Sequence, residues 1–300
     1  MSSILKSERV PIRSIIAAAL LLALAACGPL RLVYSQADLL IYRRLDGYAD
    51  FDRQQAPSVK DAIGRWLAWH RATQLGDYAA LLQRAAGEVQ HDTTPERLCR
   101  WIDELGARAD AAVEQALPDA ARLARRLAPE QLEHIARRQR QETDKLREEF
   151  LEPDRAERLD AAVERATERA EKLYGRLDAQ QRGRLAQDVA ASPFDAERWL
   201  AEKERRQRDL LDTLRALRAP SPGAASEPLP GGAAAQLRGW WQRVQQSPDA
   251  GYRRYAERLQ PYQCAVAARL HNATTPAQRE TARRRLNDWR ADLLGIALPR

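Results

Sequence analysis

Residues 58–89 read SVKDAIGRWLAWHRATQLGDYAALLQRAAGEV, and the spacing of their apolar positions decides the fold. Val59, Ile63, Trp66, Leu67 and His70 recur at steps of three and four, and Tyr78, Leu81, Leu82, Ala85 and Val89 continue the stripe. That period places them on one side of an amphipathic helix. Arg, Ala, Glu and Leu dominate the middle of the chain. They lose little side-chain freedom in a helix, whereas the β-branched residues a sheet would use are scarce.

Working outward toward the C-terminus, Thr94-Pro95 opens another helix, with Thr94 as N-cap and Pro95 in the first turn. Its stripe is Leu98, Ile102, Leu105, Ala109, Val113 and Leu117. From Ala128 to Arg218 the stripes narrow. Leu132 and Ile135 precede a polar stretch before Leu146 and Phe150, then come Leu159, Val163, Ala166, Ala170 and Leu173, and finally Leu210, Leu214 and Leu217. Residues 130–218 hold 20 Lys+Arg against 21 Asp+Glu, so the section is nearly neutral and reads as extended helical hairpins with much solvated surface. Residues 219–232 (APSPGAASEPLPGG) read as a linker or flexible loop. Leu237, Trp240, Trp241 and Val244 begin the next helix, Tyr252, Tyr255, Leu259 and Tyr262 follow, and Thr275-Pro276 opens the last, through Leu286, Trp289 and Leu293. Aromatics concentrate before residue 102 and after 239, so the two ends are expected to pack together with the charged middle projecting.

Toward the N-terminus, Leu30, Val33, Tyr34, Ala37, Leu40, Ile41 and Leu45 recur at helical spacing, and this apolar face is expected to face the core, with a membrane-binding surface as the alternative. Asp46, Asp50 and Asp52 lack the closing Glu of a calcium loop and read as helix-boundary residues. The first residues are a targeting segment. Lys6, Arg9 and Arg13 form a positive region, and the apolar run Ile15–Ala26 is too short to span a bilayer, which takes about 20 residues. It ends in Leu24-Ala25-Ala26-Cys27-Gly28, which resembles the lipobox of bacterial lipoproteins. The resemblance implies cleavage before Cys27 and a lipid anchor on its thiol. Gly28 after the cysteine, where an Asp would signal inner-membrane retention, implies the outer membrane, by default its periplasmic leaflet. Only Gly28 and Pro29 then precede structure, so the body is expected to lie close to the bilayer.

The expected architecture is all-α, an elongated multi-helix bundle of roughly seven to ten helices with a charged hairpin section. Residues 1–26 are the leader, 27–218 the helical body, 219–232 the linker, and 233–300 the C-terminal helices that pack on the N-terminal ones.

Four helix starts share a form: Thr94-Pro95-Glu96, Leu127-Ala128-Pro129-Glu130-Gln131, Leu177-Asp178-Ala179-Gln180-Gln181 and Thr275-Pro276-Ala277-Gln278. Thr275 with Gln278, and Asp178 with Gln181, have the spacing of capping boxes. The middle two also resemble the Leu-Thr-x-x-Gln motif of small periplasmic helical chaperones and stress adaptors, with Ala128 and Asp178 where that motif has Thr. Over residues 127–218 this resemblance implies a thin hairpin that holds unfolded clients. A second resemblance spans most of the chain after Cys27. Arg31-Leu32-Val33-Tyr34, Ala37-Asp38, Leu45-Asp46-Gly47-Tyr48, Trp66-Leu67-Ala68-Trp69-His70 and Tyr78-Ala79-Ala80-Leu81-Leu82 look like a family of uncharacterised proteobacterial lipoproteins. It implies localisation and a helical body and carries no activity.

No pair among His70, His91, His134 and His271 has metal-binding helical spacing. No phosphate-cradling Gly-rich loop or Gly-x-Ser-x-Gly occurs, and His70, beside Trp66, reads as a core histidine. No catalytic, cofactor-binding or metal residue is assigned, and an enzyme is not expected. The formal charge is +7, of which +5 lies after residue 26, too little to argue for nucleic acid. The expected partners are the membrane, through Cys27, and an envelope protein or unfolded clients. Cys99 and Cys264 remain. Outside the inner membrane they either pair, closing a loop of more than 160 residues, or stay as two buried thiols.

Overall fold

The computed structural model describes residues 30–151, 154–218 and 232–297. Twelve α-helices hold 86 % of these, and no strand occurs among the described residues, so the protein is an all-α multi-helix bundle. The first four are α1 (Leu30–Ser35), α2 (Ala37–Ala49), α3 (Gln55–Thr73) and α4 (Leu75–Glu88). Next come α5 (Pro95–Ala124), α6 (Pro129–Phe150), α7 (Arg155–Tyr174) and α8 (Ala179–Ala190). The last four are α9 (Ala196–Arg218), α10 (Gly232–Gln245), α11 (Ala250–Asn272) and α12 (Pro276–Ala297). The count exceeds the expected range because single residues, Gln36 and Gln74, divide α1 from α2 and α3 from α4. Neither break carries the Gly or Pro that punctuates a sequence. The leader with Cys27, and residues 219–231 of the expected linker, lie outside the described residues; Gly232 already belongs to α10.

The two ends of the chain meet. The most extensive helix pair is α4 with α12, and α12 also covers α1. Leu30, Leu75, Tyr78, Ala79 and Leu293 form one buried cluster there, and Ala86, Val89, Ala282 and Leu286 the next. The charged middle does not simply project from this core, because it supplies much of the largest apolar cluster. Leu132 and Ile135 of α6 and Leu211, Leu214 and Leu217 of α9 pack with Leu117, Ala121 and Ala124 of α5 and with Leu237 of α10.

Helices α6 and α9 run antiparallel, and their narrow apolar stripes continue as buried polar ones. Gln139, Glu142 and Thr143 keep the helical step from Ile135 to Leu146 and are all buried. Thr143 donates to Gln207 at 3.1 Å, and Gln207 donates to the Gln139 carbonyl. Arg44 of α2 pairs with Glu142 at 3.2 Å. Burial pushes the Lys203 ammonium below its usual range, against the pull of Glu142. On α9, burial raises the Glu202 carboxyl, but hydrogen bonds from Arg205 and Arg206 outweigh it and hold the group below the usual carboxylate range.

Two reciprocal glutamine pairs lock four helix junctions. Gln55 and Gln131 each donate a side-chain amide hydrogen to the other's Oε1, at 3.0 and 2.8 Å. Gln55 also donates to the Arg126 carbonyl, and Gln131 to the carbonyls of Ala49 and Asp50. The α2–α3 and α5–α6 turns are thereby tied together. Gln181 and Gln278 repeat the arrangement at 2.8 and 2.9 Å, with Gln181 reaching the Ala273 carbonyl and Gln278 the Arg176 carbonyl. This second pair ties the α7–α8 and α11–α12 turns. In all four, Oε1 accepts the backbone N–H three residues back, the glutamine half of a capping box.

The starts at Asp178 and Thr275 complete the box, because each side-chain oxygen caps the amide of its glutamine. Ala128 has no oxygen and leaves its box half made. Thr94 is a separate case: it caps Arg97 alone and joins no pair. The fourth member is Asp52-Arg53-Gln54-Gln55, whose spacing was present in the sequence but hidden among acids read only as helix boundaries. Asp52 does take the boundary role as well, accepting from Gln54 and Gln55 at 2.7 Å each. Asp50, at φ 48°, holds the left-handed turn after α2.

Candidate functional site

The region nearest the N-terminus of the described chain is an aromatic cluster built by α1, α3 and α4. Tyr34 rides on α1, Trp66, Trp69 and His70 on successive turns of α3, and Tyr78 on α4. His70 stacks on Trp66 with centroids 4.9 Å apart, and its Nδ1 lies 3.1 Å from the Tyr34 hydroxyl. Tyr78 meets the same ring at 5.6 Å, and the Arg71 guanidinium covers Tyr34. Trp66 donates its indole hydrogen to the Ala112 carbonyl at 2.9 Å, tying the cluster to α5.

Chemically this cluster is quiet. Burial lowers the His70 pKa to about 4, so the ring is neutral near pH 7. Burial pushes the Tyr78 hydroxyl up to about 12, and no partner for it appears among the described residues. Neither group is poised for proton transfer near neutrality, and His70 is half-buried, stacked on Trp66 at the edge of the core.

The structure brings Cys99 and Cys264 together as a disulfide, with Cα atoms 5.6 Å apart. The bridge fastens α5 to α11 across 165 residues, and Cys264 is 1 % exposed. His271, seven residues further along α11, bonds the Tyr174 hydroxyl at 2.8 Å and the His91 carbonyl at 2.7 Å. Burial lowers its pKa, partly offset by that carbonyl. His134 reaches the Gly47 carbonyl at 3.4 Å. Among the described residues no three of His, Cys, Asp and Glu gather as a metal site would require. Two surface clefts are lined by charged pairs: Arg65 with Asp119 beside Ser58 and Asp61, and Arg269 with Asp188 beside Gln181 and Leu185. Arg65 and Arg122 face Asp119 in the first, and Arg269 faces Asp188 in the second.

The sequence reading departs from the structure in which apolar residues are covered. Tyr34, Ala37 and Ile41 pack toward Val59, Ile63 and Leu67 as expected. Leu40 and Leu45, from the same expected stripe, are 49 % and 43 % exposed. On α5, Ile102 and Leu105 are likewise open to solvent, while Ala109 and Leu117 are buried. The helices packed on α5 cover its later turns more fully than its first ones, a tertiary effect that periodicity alone does not carry.

Residues 47–225 match a family of unknown function, DUF6279. The chain belongs to this family. The DUF6279 match runs from the end of α2 through α9 and into the segment after it. It contains the whole Gln55–Gln131 clasp and Cys99, but neither Gln278 nor Cys264. No curated protein and no solved structure matches the chain. Among the described residues no helix is long and apolar enough to cross a membrane.

Proposed function

We propose that this DUF6279 protein is an outer-membrane lipoprotein of proteobacterial type, anchored through Cys27, whose helical body works in the periplasm by binding rather than by catalysis. One observation carries the reading: Leu24-Ala25-Ala26-Cys27 stands three residues ahead of Leu30, where α1 begins. The Cys99–Cys264 bridge supports it, because such bonds persist in oxidising compartments. Neutral His70 and the paired charges of the clefts favour a scaffold or adaptor over an enzyme. Gln131 and Gln181, which carry the likeness to the periplasmic chaperones, are buried and engaged within the body, so an envelope protein is favoured over unfolded clients as the partner.

Fractionation of cell envelopes tests the anchor. Wild-type protein is expected with the outer membrane, carrying label from fed palmitate. The Cys27→Ser variant is expected to lose the label and to leave that fraction. A variant that stays in the outer membrane as the wild type does would overturn the proposal.

A further inference from the structure

Helix α1 and the first turns of α2 are apolar on two sides, and only one is covered. Tyr34, Ala37 and Ile41 turn inward onto α3. On the other side, Leu32, Leu39 and Leu40 are 62 %, 40 % and 49 % exposed. At 100° per residue, Leu39, Leu40, Arg43 and Gly47 of α2 fall within about one quadrant of its surface. All four are exposed with no carboxylate among them, and Leu32 and Gln36 just ahead of them are exposed as well. Leu294, also exposed, lies near the end of α12 that holds α1 through Asp292.

We propose that this face lies in the phospholipid headgroup layer of the leaflet that holds the anchor. The proposal rests on the reading of Cys27 as lipidated. Three residue steps separate Cys27 from Leu30, and in any conformation they span at most about 11 Å. The first turn of α1 is therefore held within reach of the interface, and the face it presents there is the leucine one or the polar one. Interfacial helices bury their apolar side about 5–10 Å into the headgroup and acyl boundary, with cations at the rim. Arg43 is placed for that: its stem can lie along the leucines while its guanidinium meets lipid phosphate. The opposite side of the helices is committed to the body by Tyr34, Ala37 and Ile41, and Arg31 bonds the Ala291 carbonyl, which fixes the orientation of α1. A rigid body tethered at Leu30 with its leucine face on the bilayer would keep the rest of the bundle in one orientation toward the periplasm.

Photocrosslinking in living cells tests this with the full chain. p-Benzoylphenylalanine is introduced at Leu32 or Leu40, and at exposed Ala277, fifteen residues before Asp292 on α12, as the distant control. Retention of the Cys99–Cys264 bridge on non-reducing gels confirms that each variant is folded, and palmitate labelling of the same samples reports the anchor separately. Irradiation is expected to add the mass of one phospholipid at Leu32 and Leu40, with at least a five-fold lower yield at Ala277. Adducts to protein at Leu40, or no adducts there in palmitate-labelled protein, would overturn the proposal and leave the anchor standing. Loss of the palmitate label with lipid adducts retained would overturn the anchor and uphold the face.

Discussion

The clasp between Gln55 and Gln131 and the clasp between Gln181 and Gln278 make the same bonds in different settings. In the first, both glutamines are buried; in the second, Gln181 is buried and Gln278 is half-buried. The first has Asp52 and Ala128 at its cap positions, the second Asp178 and Thr275. Helix α6 starts where expected although Ala128 offers no capping oxygen. The difference separates two roles that one motif combines. The cap oxygen serves its own helix, whereas the glutamine joins turns 76 and 97 residues apart.

The largest effect is expected from removing the glutamine amide where water cannot replace it. Gln131→Ala strands the buried Ala49 carbonyl and the Gln55 amide, also loses the bond to the Asp50 carbonyl, and should cost about 3 kcal/mol. Gln278→Ala opens a clasp at the edge, where water can take over, and should cost about 1 kcal/mol. Urea unfolding compares the two, and equal losses would show that burial does not distinguish the clasps.

Acid is expected to act away from the first clasp and close to the second. A group with a depressed folded pKa contributes stability above its unfolded value and loses it as the pH falls toward the folded one. For His70, with a folded value of about 4 against 6.5, the window runs from about pH 6.5 down to 4 and the loss at pH 5 is about 2 kcal/mol. His271, lowered in the same direction, lies two residues before Ala273, whose carbonyl receives Gln181. Urea midpoints between pH 7 and 5 should therefore fall, and His70→Gln should flatten most of the slope. An unchanged slope in that variant would remove His70 from the account.

A gain as small as the Gln278→Ala loss is expected at the missing cap. Ala128→Asp supplies the oxygen that Asp178 supplies in the second clasp, and should stabilise the protein by about 1 kcal/mol. No gain in the melting temperature would mean that α6 is already fully capped by other means.

The helical fold was legible because the stripe from Val59 to Val89 is strongly periodic and Thr94, Asp178 and Thr275 announce their helices. Two things were not. Gln139, Glu142 and Thr143 are polar residues on a buried face, and hydropathy cannot tell a buried polar side chain from a solvated one. Leu40, Leu45, Ile102 and Leu105 are apolar residues on open faces, and their exposure depends on which neighbours reach them. The disulfide was one of two readings because sequence separation does not reveal that α5 and α11 lie side by side. Of the candidate site, the packing of His70 beside Trp66 could be read from their place on the same stripe. The exposure of Leu32, Leu39 and Leu40 could not, since they share helices with residues that do face the core.

The proposed anchor requires that the chain be processed to begin at a lipidated Cys27, three residues ahead of α1. Its most direct measurement is mass spectrometry of the N-terminal peptide from protein extracted from envelopes. The expected peptide starts at Cys27, carries a diacylglyceryl group on sulfur and continues Gly28-Pro29-Leu30. A peptide that includes Met1, or one that starts at an unmodified Cys27, would contradict it.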